Sequence, residues 1–214
     1  MVTTMRLFLL GATGHTGTHI LDLALSRGHE VTVFARTPAK VTRQAPGLRV
    51  VQGDALQVTS LAAAMPGHDA VLSALGPSFR EAFRPSTLLA ECAAATVAAM
   101  QTAGLSRLAI VSAAVLFPEK GLRFAFFRWF LRHHARDLVS MESVVRATPF
   151  DWTIARPPRF VDDDDDRYRS AKDALPADGF TMSFRAVAAF LLDSVEQRSH
   201  AREIVGFAAL RGAS

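Results

Sequence analysis

Three glycines spaced three residues apart, Gly11, Gly14 and Gly17 in the run GATGHTG, restrict what this chain can fold into more than any other feature. They stand between a short apolar run, Met5 to Leu10, and residues 16 to 27, where Ile20, Leu21, Leu23, Ala24 and Leu25 recur at helical spacing. A strand that turns this sharply into a helix uses one glycine for the tight turn and another for close packing of helix on strand. A third lets a ligand approach the backbone, where free N–H groups and the positive end of the helix favour an anion. The strand before and the helix after make the triplet a signal for a bound pyrophosphate. The alternative is a structural turn in a protein of similar fold.

The alternation continues along the chain. Gly28 stops the first helix, and Glu30 to Ala35 (EVTVFA) alternates with β-branched residues as a strand does. A strand at Leu48 to Val51, a helix at Val58 to Met65, a strand at Ala70 to Ser73, an Ala-rich helix over residues 84–103 and a strand at Arg107 to Ser112 follow. Strands alternating with helices predict an α/β fold, a doubly wound parallel sheet of the Rossmann type in three layers. After Ser112 the rhythm changes. Phe117 to Arg136 is aromatic and basic, Asp137 to Ala147 reads as a helix and Asp151 to Ala155 as a sixth strand. Beyond it come Arg156 to Arg159 (RPPR), the acidic run Asp162 to Asp166, a loop with Pro176 and Gly179, a helix over Arg185 to Gln197 and a closing strand at Glu203 to Phe207. At 214 residues, half of them apolar, the chain can bury one substantial core. Residues 1–214 therefore read as a single domain, with 156–214 as a small C-terminal extension on the substrate side.

Several classes of function are disfavoured. The formal charge is +4, but basic and acidic residues are interspersed and form no one-sided basic face, so nucleic acid is not the expected partner. The apolar run before Gly11 is too short for a signal-peptide core or a membrane span, which predicts a cytoplasmic protein. Cys92 is the only cysteine. It excludes an intrachain disulfide and a multi-thiolate metal site, and it reads as a small buried side chain. Consecutive carboxylates at Asp162 to Asp166 read as a solvated acidic loop, and no metal is expected. The segment Phe117 to Arg136 fits three readings: a surface packed on its own protein, an amphipathic helix at a membrane surface, and a lid or homodimer face.

The end of the second strand selects the dinucleotide. An acid there accepts hydrogen bonds from a ribose 2′-hydroxyl, whereas arginine suits a 2′-phosphate. Here the strand ends at Arg36 and Lys40 follows, with no acid between them. NADP(H) is the expected cofactor; the alternative for Arg36 is a surface charge at a strand end.

With these residues stand Gly53 and Asp54, SALG at Ser73 to Gly76, IVSA at Ile110 to Ala113 and DWTIARPP at Asp151 to Pro158. Together they resemble the atypical short-chain dehydrogenase/reductases of the NAD(P)H-binding, NmrA-like group, and within it the small flavin reductase/biliverdin reductase B type. The resemblance runs from about residue 5 to about residue 200. It implies that Gly11, Thr13, Gly14, His15, Thr16 and Gly17 surround the pyrophosphate, that Arg36 and Lys40 hold the 2′-phosphate, and that Asp54 and Ala55 lie by the adenine. It further implies that Leu75 and Gly76 run beside the ribose, that Ser112 sits near the nicotinamide as the catalytic residue, and that Pro157 and Pro158 border the substrate. Arg159 stands where the biliverdin reductase type has a histidine. That departure favours an anionic or phosphorylated acceptor over a tetrapyrrole.

Typical short-chain dehydrogenases use a Tyr-x-x-x-Lys pair to deliver a proton to a carbonyl. Tyr168 and Lys172 have that spacing, but they follow the sixth strand and the acidic run, in an expected loop, whereas the pair belongs between the fifth and sixth strands. Without such an acid, acceptors that delocalise the incoming charge are the best substrates, which points to an NADPH-dependent oxidoreductase acting on a flavin, a quinone or a similar conjugated, planar molecule. The competing reading is a non-catalytic NADP(H)-binding redox sensor of the NmrA-like kind. A sugar-nucleotide epimerase needs the tyrosine pair in its proper place and a larger substrate domain.

Overall fold

Leu7, Phe8, Leu9 and Leu10 are all fully buried, as a central strand covered on both faces requires. The computed structural model describes residues 3–77, 84–117 and 132–210. Its elements in chain order are β1 (Arg6–Leu10), α1 (His15–Ser26), β2 (Glu30–Ala35), β3 (Leu48–Gln52), α2 (Val58–Ala64), β4 (Ala70–Ser73), α3 (Leu88–Ala103), β5 (Arg107–Val111), α4 (Arg132–Arg146), β6 (Asp151–Arg156), β7 (Arg159–Val161), β8 (Tyr168–Lys172), β9 (Thr181–Ser183), α5 (Phe184–Gln197) and β10 (Glu203–Ala209). Eight strands form one sheet in the order β3-β2-β1-β4-β5-β6-β10-β8, and all run parallel except β8.

The pleat of β1 divides the core. Leu7 and Leu9 join Ile20 of α1 and Phe190 of α5 on one face, while Phe8 and Leu10 join Leu61 of α2, Met100 of α3 and Met141 of α4 on the other. This is the three-layer, doubly wound Rossmann architecture that the alternation predicts. The strand order reverses between β1 and β4, which opens a crevice at the carboxyl ends of those two strands.

The differences from the sequence reading are local. Helix α3 begins at Leu88, after Pro85, and α4 starts five residues ahead of the expected Asp137, through a basic stretch that lacks an apolar stripe. Strands β7 and β9 pair with each other outside the main sheet. Tyr168, expected in a loop, lies in β8, which adds antiparallel to the open edge of β10 with Tyr168 opposite Ala209. The segment YRSAK carries no apolar alternation, so only the neighbouring strand's free hydrogen-bonding edge explains its conformation. Most of the aromatic segment 117–136, from residue 118 to residue 131, lies outside the described residues. Among the described residues no helix is long and apolar enough to cross a membrane.

The start of α3 depends on a residue from another helix. Thr87, its N-cap residue, makes no side-chain capping bond. Asp137 of α4 instead accepts from the backbone N–H groups of Leu89 at 3.1 Å and Ala90 at 3.0 Å while only 4 % exposed. Asp137→Ala is expected to lower the unfolding free energy by about 1–3 kcal/mol, because two N–H groups, one buried and one half-buried, lose their acceptor. Asp137→Asn, which retains an acceptor oxygen, should lose less. Urea denaturation of both variants checks this; equal stability of Asp137→Ala and the unmodified protein would remove Asp137 from this role.

Candidate functional site

The turn after β1 is set by backbone contact. Gly11 has φ +84°, and a Cβ there would meet the carbonyl oxygen of Ala74 at 2.5 Å. A Cβ on Gly17 would run into the carbonyl of Gly11. These two glycines hold α1 against β1 and the turn against the end of β4. Gly14 differs: its φ is −91°, and a Cβ would meet only the Gly11 oxygen, at an ordinary 3.5 Å. The packing of the turn does not require glycine at position 14.

Gly14 is also the N-cap of α1, with no side-chain cap and no acid in the first turn. The first intrahelical bond runs from Thr18 N–H to the Gly14 oxygen at 2.9 Å, so the N–H groups of His15, Thr16 and Gly17 stand ahead of it. Uncapped donors, a positive helix end and an exposed glycine fit an anionic pyrophosphate.

The other expected residues follow the same edge of the sheet. Arg36 is exposed just past β2, and Lys40 is exposed at the end of a short 3-10 turn, Pro38–Lys40. Asp54 follows β3, half-buried, its Oδ1 accepting from Leu56 N–H at 3.1 Å. Ala55 and Leu75 are half-buried and Gly76 is exposed beyond β4. Pro157 is buried, Pro158 half-buried, and Arg159 exposed at the start of β7. Cys92 is buried as expected, and burial followed by the nearby charge of Asp54 pushes its thiol up to about 11.

Ser112 follows β5 directly, in a setting that sequence reasoning missed. It is 6 % exposed, and its Oγ donates to Glu142 Oε1 at 2.6 Å. Glu142, 3 % exposed on α4, is clamped by Arg156 at the end of β6, with Nε to Oε1 at 2.9 Å and Nη2 to Oε2 at 2.6 Å. The Arg156 guanidinium lies 4.8 Å from the ring centroid of Phe117. A signal for this cluster exists in the sequence: Leu138, Met141 and Val145 form the buried stripe of α4, and Glu142 falls within it. A carboxylate at a core position demands a partner. His15 has a second unforeseen neighbour, stacking on Phe184 at 5.0 Å, which in turn stacks on Phe160 of β7 at 4.4 Å. That ring column ties the glycine turn to the segment after Pro158.

Tyr168 and Lys172 do not form a catalytic pair. The Tyr168 hydroxyl donates to Asp193 of α5 at 2.6 Å, and Asp193 also binds Arg27 at 2.8 Å. Burial, followed by that hydrogen bond, raises the phenol well above its ordinary pKa. Lys172 pairs with Glu203 at 2.7 Å. Tyr168 packs with the α1 and α5 layer, while Glu142 lies in the α4 layer across the sheet. In the acidic run, Asp165 pairs with Arg167 at 2.8 Å and Asp166 with Arg185 at 3.8 Å.

The chain is similar to known proteins over most of its length. A family model described as NAD(P)H-binding matches residues 11–198. The Bacillus subtilis protein YwnB is 27 % identical over 213 residues, covering 93 % of this chain and 96 % of its own length. Among solved structures, a wide-type short-chain dehydrogenase/reductase from Veillonella parvula in complex with NADP superposes with a TM-score of 0.79 at 16 % identity, over 98 % of this chain and 96 % of that one. A candidate NADH-flavin reductase from Streptococcus pneumoniae superposes with a TM-score of 0.73 at 20 % identity, over 96 % of this chain and all (100 %) of that one.

The two kinds of glycine separate folding from binding. Gly17→Ala should destabilise the protein by about 2 kcal/mol or more, since a methyl group must displace backbone in a packed turn. Gly14→Ala should fold at a cost of about 1 kcal/mol or less, the usual penalty for alanine at an N-cap. Its affinity for a dinucleotide phosphate should fall about tenfold or more, equivalent to one lost charged hydrogen bond. Thermal melts and fluorescence titration test both; unchanged affinity in Gly14→Ala would remove the phosphate from this turn.

Proposed function

The chain belongs to the NAD(P)H-binding family, and from that premise we propose that it is an NADPH-dependent reductase passing hydride to a flavin, a quinone or a similar planar conjugated acceptor. The observation that carries the choice of acceptor is the engagement of the chain's only tyrosine with Asp193, on the far face of the sheet from Glu142. No phenol is available at the carboxyl ends of β5 and β6 to protonate a ketone. A general acid of that kind contributes about 10²–10⁴-fold to carbonyl reduction. Acceptors that spread the incoming charge over a ring system depend on it least.

In this reading the α1 N-terminus and Gly14 hold the pyrophosphate, and Arg36 with Lys40 holds the 2′-phosphate at the end of β2, the guanidinium by hydrogen bonds and the ammonium as a point charge. Asp54 and Ala55 flank the adenine, and Leu75 and Gly76 flank the adjoining ribose. The nicotinamide, which supplies the hydride when bound, lies by Ser112. Pro157 and Pro158 wall the acceptor side, and the exposed Arg159 attracts an acceptor that carries a phosphate, as a flavin mononucleotide does. A cytoplasmic location, where NADPH is abundant, fits the same reading.

Titration with NADPH and NADH should show tighter binding of NADPH. Arg36→Ala should remove about 1–3 kcal/mol of that preference, the usual worth of a charge-assisted hydrogen bond, while leaving NADH affinity unchanged. NADPH oxidation should proceed with flavin mononucleotide, riboflavin and small quinones, and fastest with the phosphorylated flavin. Tight binding with no turnover on any of them would instead identify a redox sensor, and equal affinity for both nucleotides would refute the assignment of Arg36.

A further inference from the structure

A serine hydroxyl has one proton to donate and two lone pairs with which to accept. At Ser112 the proton is committed, because Oγ donates to Glu142 Oε1 at 2.6 Å. Glu142 gives nothing back. Its carboxylate meets Arg156 through both oxygens, at 2.9 Å and 2.6 Å, so it presents acceptors only. The clamp also fixes the geometry: α4 supplies the carboxylate, β6 supplies the guanidinium, and the Phe117 ring 4.8 Å away covers the guanidinium. All three polar side chains are buried or nearly so, with the side chains of Arg156 and Glu142 only 12 % and 4 % exposed. In such surroundings a rotated hydroxyl would forfeit a short bond to a buried carboxylate oxygen, which would keep only Arg156 Nε as its donor.

We propose that Glu142, held by Arg156, is a positioning residue that fixes Ser112 as a hydrogen-bond acceptor toward the cleft. The inference rests on the placement of the nicotinamide beside Ser112. Of the groups brought there, the carboxamide NH₂ of the nicotinamide can donate to Ser112 Oγ, whereas a quinone carbonyl can only accept. Ser112 therefore orients the cofactor ring through its amide nitrogen and does not polarise the acceptor. The site supplies no proton from this serine, and it selects acceptors that need none from it.

The test compares three ligands by equilibrium titration: NADP⁺, its 3-acetylpyridine analogue, which keeps the carbonyl but has no N–H to donate, and 2′-phospho-ADP-ribose, which has no nicotinamide. The unmodified protein should bind NADP⁺ about fivefold or more tightly than the analogue, the worth of one hydrogen bond. Ser112→Ala should bring that ratio to about twofold or less, below the worth of one hydrogen bond. The double variant Glu142→Met with Arg156→Met, which removes the clamp without leaving a buried charge unpaired, should do the same. Affinity for 2′-phospho-ADP-ribose should be unchanged in both, whereas a merely structural role would weaken all three ligands together. If the double variant fails to fold, Glu142→Gln takes its place: its amide NH₂ can donate to Ser112 Oγ and free the serine proton, and the ratio should again fall. A ratio that persists in either variant overturns the proposal, as does an unmodified protein that binds the analogue as well as NADP⁺. Equal binding of NADP⁺ and 2′-phospho-ADP-ribose would instead overturn the placement of the nicotinamide on which it rests, and failure of NADP⁺ to bind at all would overturn the function.

Discussion

The contact between two backbones at the end of β1 is the constraint on which the site depends. Gly11, in the left-handed region, lies against the carbonyl of Ala74, and Gly17 lies against the carbonyl of Gly11. No side chain fits in either place. Because both contacts hold, α1 begins directly above β1 with its uncapped N-terminus facing the crevice where the strand order reverses. Any widening of the turn would move the helix off the sheet and carry its dipole away from the crevice. The uncapped helix end is thus set by packing at Gly11 and Gly17, whereas Gly14 makes no close contact that a Cβ would disturb.

The carboxyl ends of β5 and β6 are held by charge. Glu142 and Arg156 join α4 to the end of β6, and Ser112 joins the end of β5 to the same carboxylate. Removing a single member of a buried ion pair typically costs about 3–5 kcal/mol, because the other charge is left without a partner. Nearby, Asp137 on the same helix serves the start of α3. One face of α4 therefore alternates apolar packing at Leu138, Met141 and Val145 with two carboxylates that bind neighbouring elements. A polar contact of this kind adds direction to a core that would otherwise tolerate small sliding motions of the helix.

The sequence was most legible where structure is local. The strand, turn and helix around Gly11 to Gly17 follow from residue spacing, and the alternation of the next strands follows from apolar runs, with boundaries within a few residues of those found. Helix α4 is legible only from Asp137 onward, because Arg132 to Arg136 carries no apolar period to announce a helix. Strand β8 is not legible in the sequence, since its pairing partner, β10, lies more than thirty residues later in the chain. The spacing of Tyr168 and Lys172 looked like chemistry, yet the two side chains engage Asp193 and Glu203, which no local pattern reveals.

By itself, the sequence determined the fold class, the glycine turn and the cation at the end of β2, because each is a property of residues adjacent along the chain and the backbone can adopt few conformations that satisfy them. Only the tertiary structure decided which way the hydroxyl of Ser112 points and what the tyrosine does. Those outcomes depend on buried polar groups from distant segments finding one another. A carboxylate on α4 and a guanidinium on β6 meet only after the helix has docked on the sheet, and burial then makes their hydrogen bonds obligatory.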